Sequence, residues 1–160
     1  MYEDIIEQLN SISSSLQNIN KKVLLIGLIE RAKVEYDKNN YDDCISTCEG
    51  ILKDNPSNVI ALRGLGCANQ SKGNLKNALI YYKKALKYSE HKEIECTLIG
   101  TLYYSINKFE KAIKYYDLAI NFNDSYDLAY DGKNQTILEK HLDILDLQDK
   151  LIEHEIRKFY

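Results

Sequence analysis

Similar residues recur along this chain at an interval of 34 positions, and this period constrains the fold more than any other feature. Three segments, 25–58, 59–92 and 93–126, align in register without an insertion. Six columns of mainly small or apolar residues run through them: Ala32, Gly66 and Gly100; Tyr41, Leu75 and Phe109; Cys44, Ala78 and Ala112; Cys48, Tyr82 and Tyr116; Ile51, Ala85 and Ala119; Leu52, Leu86 and Ile120. A fixed period of this length is typical of stacked repeats.

Each segment has the pattern of two helices joined by a tight turn. In the second segment Leu62, Leu65 and Asn69 are spaced by three and four, which places them on one face of a helix. Residues 71–74 (Ser-Lys-Gly-Asn) predict a helix stop, and Leu75 begins a second apolar stripe. The corresponding turns are expected at residues 38–40 and 107–108. A single hairpin cannot bury its apolar face, so we expect neighbours to stack.

The small residues predict where helices approach closely. Gly66 and Gly100 lie on first helices, at the position where a larger side chain would push the hairpin apart. Tyr82 and Tyr116 lie on second helices, and we expect their rings to fill the gap between one hairpin and the next.

This pattern resembles the tetratricopeptide repeat family. The resemblance rests on the period, on the small residue of the first helix, and on the order Ala112, Tyr116, Ala119 in the second; it covers about residues 25–126. It implies an all-α fold, an α-α superhelix of three hairpins with flanking terminal helices. The first segment departs from the pattern at Cys44 and Cys48, where alanine and an aromatic residue are usual.

The amino-terminal segment, residues 1–24, has its own apolar rhythm. Spacings of four and three relate these residues: Ile5, Leu9, Ile12, Leu16, Ile19, Val23 and Ile26. Such a stripe fits a helix that folds back to cap the first hairpin, or one that pairs with another chain. The Ser11–Ser15 stretch weakens a long uninterrupted helix, and we expect a helix boundary near Lys21-Lys22.

The carboxyl-terminal segment, residues 127–160, begins like a further first helix. Continuing the register would place Asp146, Lys150 and Glu153 in small or aromatic columns, so a fourth complete repeat is rejected. No Gly or Pro follows Gly132, and residues 133–158 could form one helix or two. We expect a cap, with pairing between chains through 133–160 as the alternative. Its apolar stripe contains Leu138, Leu142, Leu145, Ile152, Ile156 and Phe159, interrupted by Asp149.

No arrangement of catalytic residues stands out. His91, His141 and His154 lack a nucleophile motif, and neither a phosphate loop nor a dinucleotide fingerprint occurs. Cys44 and Cys48, four apart, could touch one metal ion, but both occupy core columns where a thiol packs as a small apolar group. We therefore expect a chain that is not an enzyme, with no metal and no cofactor.

The resemblance implies that first helices line a concave groove that holds a peptide or a helix of another protein. The residues expected to contact this partner are Lys33, Tyr36, Arg63, Gln70, Thr97, Thr101 and Tyr104. Tyr and Arg are common at binding hot spots, although each of these side chains could also be simply solvated. The predicted function is a protein-binding scaffold or adaptor. The alternative is self-assembly into a homodimer through the terminal helices.

The net charge and the hydropathy of the chain argue against two other classes of partner, nucleic acid and membrane. The net charge is −3, which provides no overall positive field for nucleic acid. No run of 18 apolar residues occurs, so no membrane span is expected. The acidic start Met1-Tyr2-Glu3-Asp4 lacks the basic region of a secretory signal, and we expect a cytoplasmic protein.

Overall fold

The computed structural model describes residues 2–158, apart from the side chain of Ile156, and this part of the chain forms seven α-helices and no strand. In chain order the helices are α1 (Tyr2–Asp37), α2 (Tyr41–Asp54), α3 (Val59–Ser71), α4 (Leu75–Tyr88), α5 (Lys92–Tyr104), α6 (Phe109–Phe122) and α7 (Asp127–Lys158). The all-α prediction is confirmed.

The chain divides between Tyr81 and Tyr82 into two compact units, and the division falls within α4. In the first unit α2 packs against α1 and α3, and α1 also contacts α3. In the second unit α6 packs against α5 and α7, and α5 contacts α7. In each unit, therefore, the second helix of one hairpin packs against the first helix of that hairpin and against the next helix along the chain.

The turn inside each hairpin contains one residue with a left-handed backbone. These residues are Asn39 (φ 63°), Gly73 (φ 78°) and Asn107 (φ 55°), which are spaced by the repeat length. Glycine adopts this conformation without a steric penalty, and asparagine tolerates it better than other residues. The turns predicted within residues 38–40, 71–74 and 107–108 are confirmed.

The turn between hairpins is closed by a side-chain hydrogen bond that also recurs. Oδ1 of Asn55, Oγ of Ser89 and Oδ1 of Asn123 each accept a hydrogen bond from the backbone N–H two residues later, at 3.3, 3.1 and 3.1 Å. Such turns end a helix without proline. Pro56 therefore needs no counterpart in the later repeats, where Glu90 and Asp124 follow the turn-forming residue.

The expected helix boundary near Lys21-Lys22 is wrong, because α1 is a single helix from Tyr2 to Asp37. Residues 2–24 therefore do not fold back onto the first hairpin, and their side chains are exposed. Serine and asparagine cost less than about 0.7 kcal/mol each in a helix, and an existing helix extends without a new nucleation step. The α1 helix also passes the predicted domain limit at residues 24/25, and the domain limits stay a prediction.

The carboxyl-terminal segment also forms one helix, α7, with no second helix after it in the described chain. Its first half packs against α5 and α6: Ala129 and Thr136 are fully buried, and Lys133 pairs with Asp117 at 2.7 Å. From His141 to Lys158 the described side chains are exposed. The expected cap is thus limited to the first half of α7. Phe159 of the predicted stripe lies outside the described residues, and so does the side chain of Ile156.

Candidate partner-binding site

In the first unit the predicted partner-binding residues lie on two adjacent helices. Lys33 and Tyr36 belong to α1, and Arg63 and Gln70 belong to α3. The hydroxyl oxygens of Tyr36 and Ser71 are 2.9 Å apart, and this hydrogen bond joins the carboxyl ends of α1 and α3. The sequence spacing therefore placed these four residues on neighbouring helices of one unit.

An open recess of about 230 Å³ lies between α1 and α3, with α2 as its floor; we call it the α1–α3 recess. Cys44, Cys48 and Ile51 form the floor, and Ala32 and Gly64 line the two sides. These residues contribute apolar surface, and the three floor residues are almost completely buried. The recess can therefore accept an apolar group from outside.

The rim of the α1–α3 recess carries polar and charged side chains. Lys33, Tyr36 and Arg63 line it, together with Cys67, whereas Gln70 is not among the lining residues. The two basic side chains provide positive charge beside an apolar hollow. Such a combination suits a partner segment that has an apolar anchor next to an acidic group.

The thiols of Cys44 and Cys48, on the floor of the recess, have low reactivity. Burial raises the pKa of the Cys48 thiol to about 12, and it also raises the pKa of Cys44. Both thiols are therefore protonated at neutral pH, and a protonated thiol is a poor nucleophile and a poor metal ligand. Across residues 2–158, no group of three His, Cys, Asp or Glu side chains is placed to hold a metal ion.

In the second unit the predicted residues are Thr97, Thr101 and Tyr104, all on α5. The Thr97 hydroxyl donates to a backbone carbonyl one turn earlier, at 2.8 Å. The Thr101 hydroxyl donates to the Thr97 carbonyl at 3.0 Å and lies 3.2 Å from the hydroxyl of Tyr116. The two threonine hydroxyls thus already have partners within the protein. That these residues and those of the first unit contact one partner stays a prediction.

Tyr116 occupies a slot between two glycines. A Cβ atom added to Gly100 would lie 2.8 Å from Cε1 of this ring, and one added to Gly132 would lie 2.6 Å from the same atom. Burial raises the pKa of the Tyr116 phenol. The predicted close approach at Gly100 is confirmed, and the ring also packs against α7, the next helix.

Sequence reasoning missed three features of the two units. Gly64 was not recognised as a close-approach position, although it precedes Gly132 by two repeat lengths; a Cβ there would lie 2.8 Å from Sγ of Cys48. The side chain of Glu95 is fully buried although it is polar, and no pattern around it indicated this. A hollow of about 500 Å³ lies beside the stacked rings of Tyr103 and Tyr115, which come from different helices.

None of the helices in residues 2–158, including the long α1 and α7, carries an apolar stretch sufficient to cross a lipid bilayer. The hairpins, their recurring turns and the small residues packed against larger ones define an array of helical-hairpin repeats. Residues 64–92 and 96–126 each match the sequence model of the tetratricopeptide repeat. These two segments are therefore assigned to the tetratricopeptide repeat family.

Solved structures have the same fold. An O-GlcNAc transferase mutant from Thermobaculum terrenum matches with a TM-score of 0.63 and 18% identity, over 71% of this chain and 22% of the transferase. The TPR domain of Arabidopsis OM64 matches with a TM-score of 0.62 and 12% identity, over 70% of this chain and 93% of that domain.

A third similar structure is that of Naa15/Naa10 bound to HypK-THB. It matches with a TM-score of 0.54 and 22% identity, over 79% of this chain and 20% of that chain. This chain therefore spans about a fifth of the length of the first and third of these proteins. At these identities the comparisons establish the α-α superhelical fold class.

Proposed function

We propose that this chain is a non-catalytic protein-binding module that holds a segment of another protein on its first helices. The observation that carries the proposal is the α1–α3 recess, an apolar hollow whose rim contains Lys33, Tyr36 and Arg63. Tyrosine and arginine contribute strongly to binding energy when a partner excludes water from them. The family supports the same function, because tetratricopeptide repeats are in general interaction modules.

The proposal is tested by removing two predicted contact tyrosines and measuring partner capture. The variant Tyr36→Ala with Tyr104→Ala should recover less of a specific partner from cells in affinity purification with mass spectrometry. The matched control is Tyr88→Ala with Tyr130→Ala, which removes two exposed tyrosines from other helices. Equal recovery by the two double variants, each folded by circular dichroism, would argue against the predicted surface.

A second candidate function, self-assembly, is favoured by the exposed apolar stripe on α1. Ile5, Leu9, Ile12, Leu16, Ile19, Val23 and Ile26 are each half or more exposed. Residues 2–24 of this helix extend for roughly 35 Å at 1.5 Å per residue. A stripe with this spacing would be buried by pairing with a second copy.

Light scattering tests self-assembly directly. If α1 pairs with a second copy, the intact chain is a dimer, and Leu9→Glu with Leu16→Glu converts it to a monomer. The control Asn10→Glu with Ser14→Glu adds the same charge on the opposite face of α1 and should leave the dimer intact. A monomeric intact chain at about 100 µM would remove this candidate.

A further inference from the structure

Cys48 and Tyr116 occupy the same register position, two repeat lengths apart, and their surroundings match. Tyr116 lies between Gly100 on α5 and Gly132 on α7, with its ring in the slot. The register equivalents of these glycines are Ala32 on α1 and Gly64 on α3, and both line the α1–α3 recess around Cys48. The small residues that accommodate a tyrosine in the second unit are thus retained, or nearly so, in the first.

The thiol of Cys48 is much smaller than a tyrosine ring, and the space beside it stays open. The recess has a volume of about 230 Å³. An apolar cavity of about 150 Å³ is large enough to bind benzene. The recess is therefore large enough for one aromatic ring supplied from outside, although the Cβ of Ala32 makes that side tighter than Gly100 makes the slot of Tyr116.

The rim also differs from that of the tyrosine slot. The Tyr116 hydroxyl lies 3.2 Å from Oγ1 of Thr101. Lys33 is the register equivalent of Thr101, and together with Arg63 it places positive charge at the rim of the recess. A cation there favours an anionic group close to the guest ring.

We propose that the α1–α3 recess binds the aromatic side chain of an acidic partner segment, a phenol or phenyl ring with a carboxylate close to it. The guest ring takes the space that a tyrosine of this chain fills in the second unit, and Lys33 and Arg63 attract the carboxylate. This inference rests on the proposed function and identifies the chemistry of the partner.

The test uses two small probes with the full chain. They are 3-(4-hydroxyphenyl)propionate, a phenol with a carboxylate, and 4-ethylphenol, which lacks the charge. Titrations followed by ¹H–¹⁵N correlation spectra should show saturable binding of both probes. The carboxylate probe should bind more tightly, with a dissociation constant on the order of 1 mM, as expected for so few atoms. The shifts should centre on the amides of Ala32 and Gly64. Absence of saturation, or shifts centred elsewhere, would overturn the proposal.

The variant Ala32→Gly with Cys48→Tyr rebuilds the tyrosine slot and should abolish binding of both probes. Ala32→Gly alone is the control and should still bind them. Lys33→Gln, an exposed change that leaves the core intact, should weaken binding of the carboxylate probe about two- to five-fold and leave 4-ethylphenol unaffected. Unchanged binding by the rebuilt slot, or an equal effect of Lys33→Gln on both probes, would contradict the proposal.

The two proposals fail separately in these experiments. If the probes bind as described but the Tyr36/Tyr104 variant captures its partner normally, the recess is a ligand site and the predicted first-helix surface is wrong. If that variant loses its partner but the probes do not bind, the surface is right and the aromatic guest is wrong.

Discussion

At the scale of single residues, the second unit depends on glycines that admit one buried ring. The Tyr116 ring has almost no exposed surface, so it cannot move away from a Cβ atom added at Gly100 or Gly132. A small residue at position 100 was predictable because it recurs at the repeat interval. The role of Gly132 was not predictable in this way, because Asp146, Lys150 and Glu153 interrupt the register after the third repeat.

The change Gly132→Ala should lower the free energy of unfolding by about 1 to 2 kcal/mol. Overpacking costs about 1–3 kcal/mol, which outweighs a gain in helix propensity of up to about 1 kcal/mol. Gly27→Ala is the control: a Cβ there meets nothing within 4 Å, so it should raise stability by about 0.5–1 kcal/mol. Urea unfolding measures both. Equal effects of the two changes would contradict the tight slot.

Buried thiols predict how stability depends on pH. Burial raises the pKa of Cys48 to about 12 and that of Cys96 to about 11, from an ordinary value of 9.0. Above pH 9 a thiol of the unfolded chain ionises while the folded one stays protonated, so unfolding releases protons. The stability from these thiols is full below pH 9 and is lost as the pH rises towards 11 and 12.

The urea concentration at the unfolding midpoint should therefore decrease as the pH is raised from about 8.5 to about 10. Cys48→Ala with Cys96→Ala should be less stable at the lower pH, because it removes buried atoms, but its midpoint should fall less over the same range. The readout is this change with pH and not the absolute midpoint. An equal fall in both proteins would show that the two thiols do not cause it.

At the scale of elements, the hairpins were predictable because their signals are local. Within one repeat, the helix spacing and the turn residues, such as those at 71–74, are set by positions only a few residues apart. The lengths of α1 and α7 were harder to predict. Apolar stripes at both ends looked as though they required a covering surface, whereas α1 and the second half of α7 extend with these side chains exposed.

The left-handed residue Asn107 lies in the turn between α5 and α6, and this turn allows a prediction about stability. Asn107→Val should lower the free energy of unfolding by about 1–2 kcal/mol, because a β-branched side chain at φ 55° clashes with its own backbone. Asn107→Gly should be neutral or slightly stabilising, because glycine adopts this conformation freely. Thermal unfolding of the two variants measures the difference. If valine were tolerated as well as glycine, the turn geometry would be incorrect.

At the scale of the whole molecule, repetition explains both what was predictable and what was not. The register predicted the fold and placed Lys33, Tyr36 and Arg63 on adjacent first helices. It also marked Cys48 as a departure from the usual aromatic residue. The α1–α3 recess was not foreseen, because its volume depends on how far α1 and α3 approach each other, and no local pattern records that distance.

Hydrogen–deuterium exchange of the full chain, with and without the captured partner, tests the central claim most directly. Partner binding to the first helices should slow amide exchange in residues 25–37 of α1 and residues 59–71 of α3. It should leave residues 2–24 and the exposed half of α7 unchanged. Slower exchange confined to those terminal segments would contradict the account and favour association through the ends of the chain.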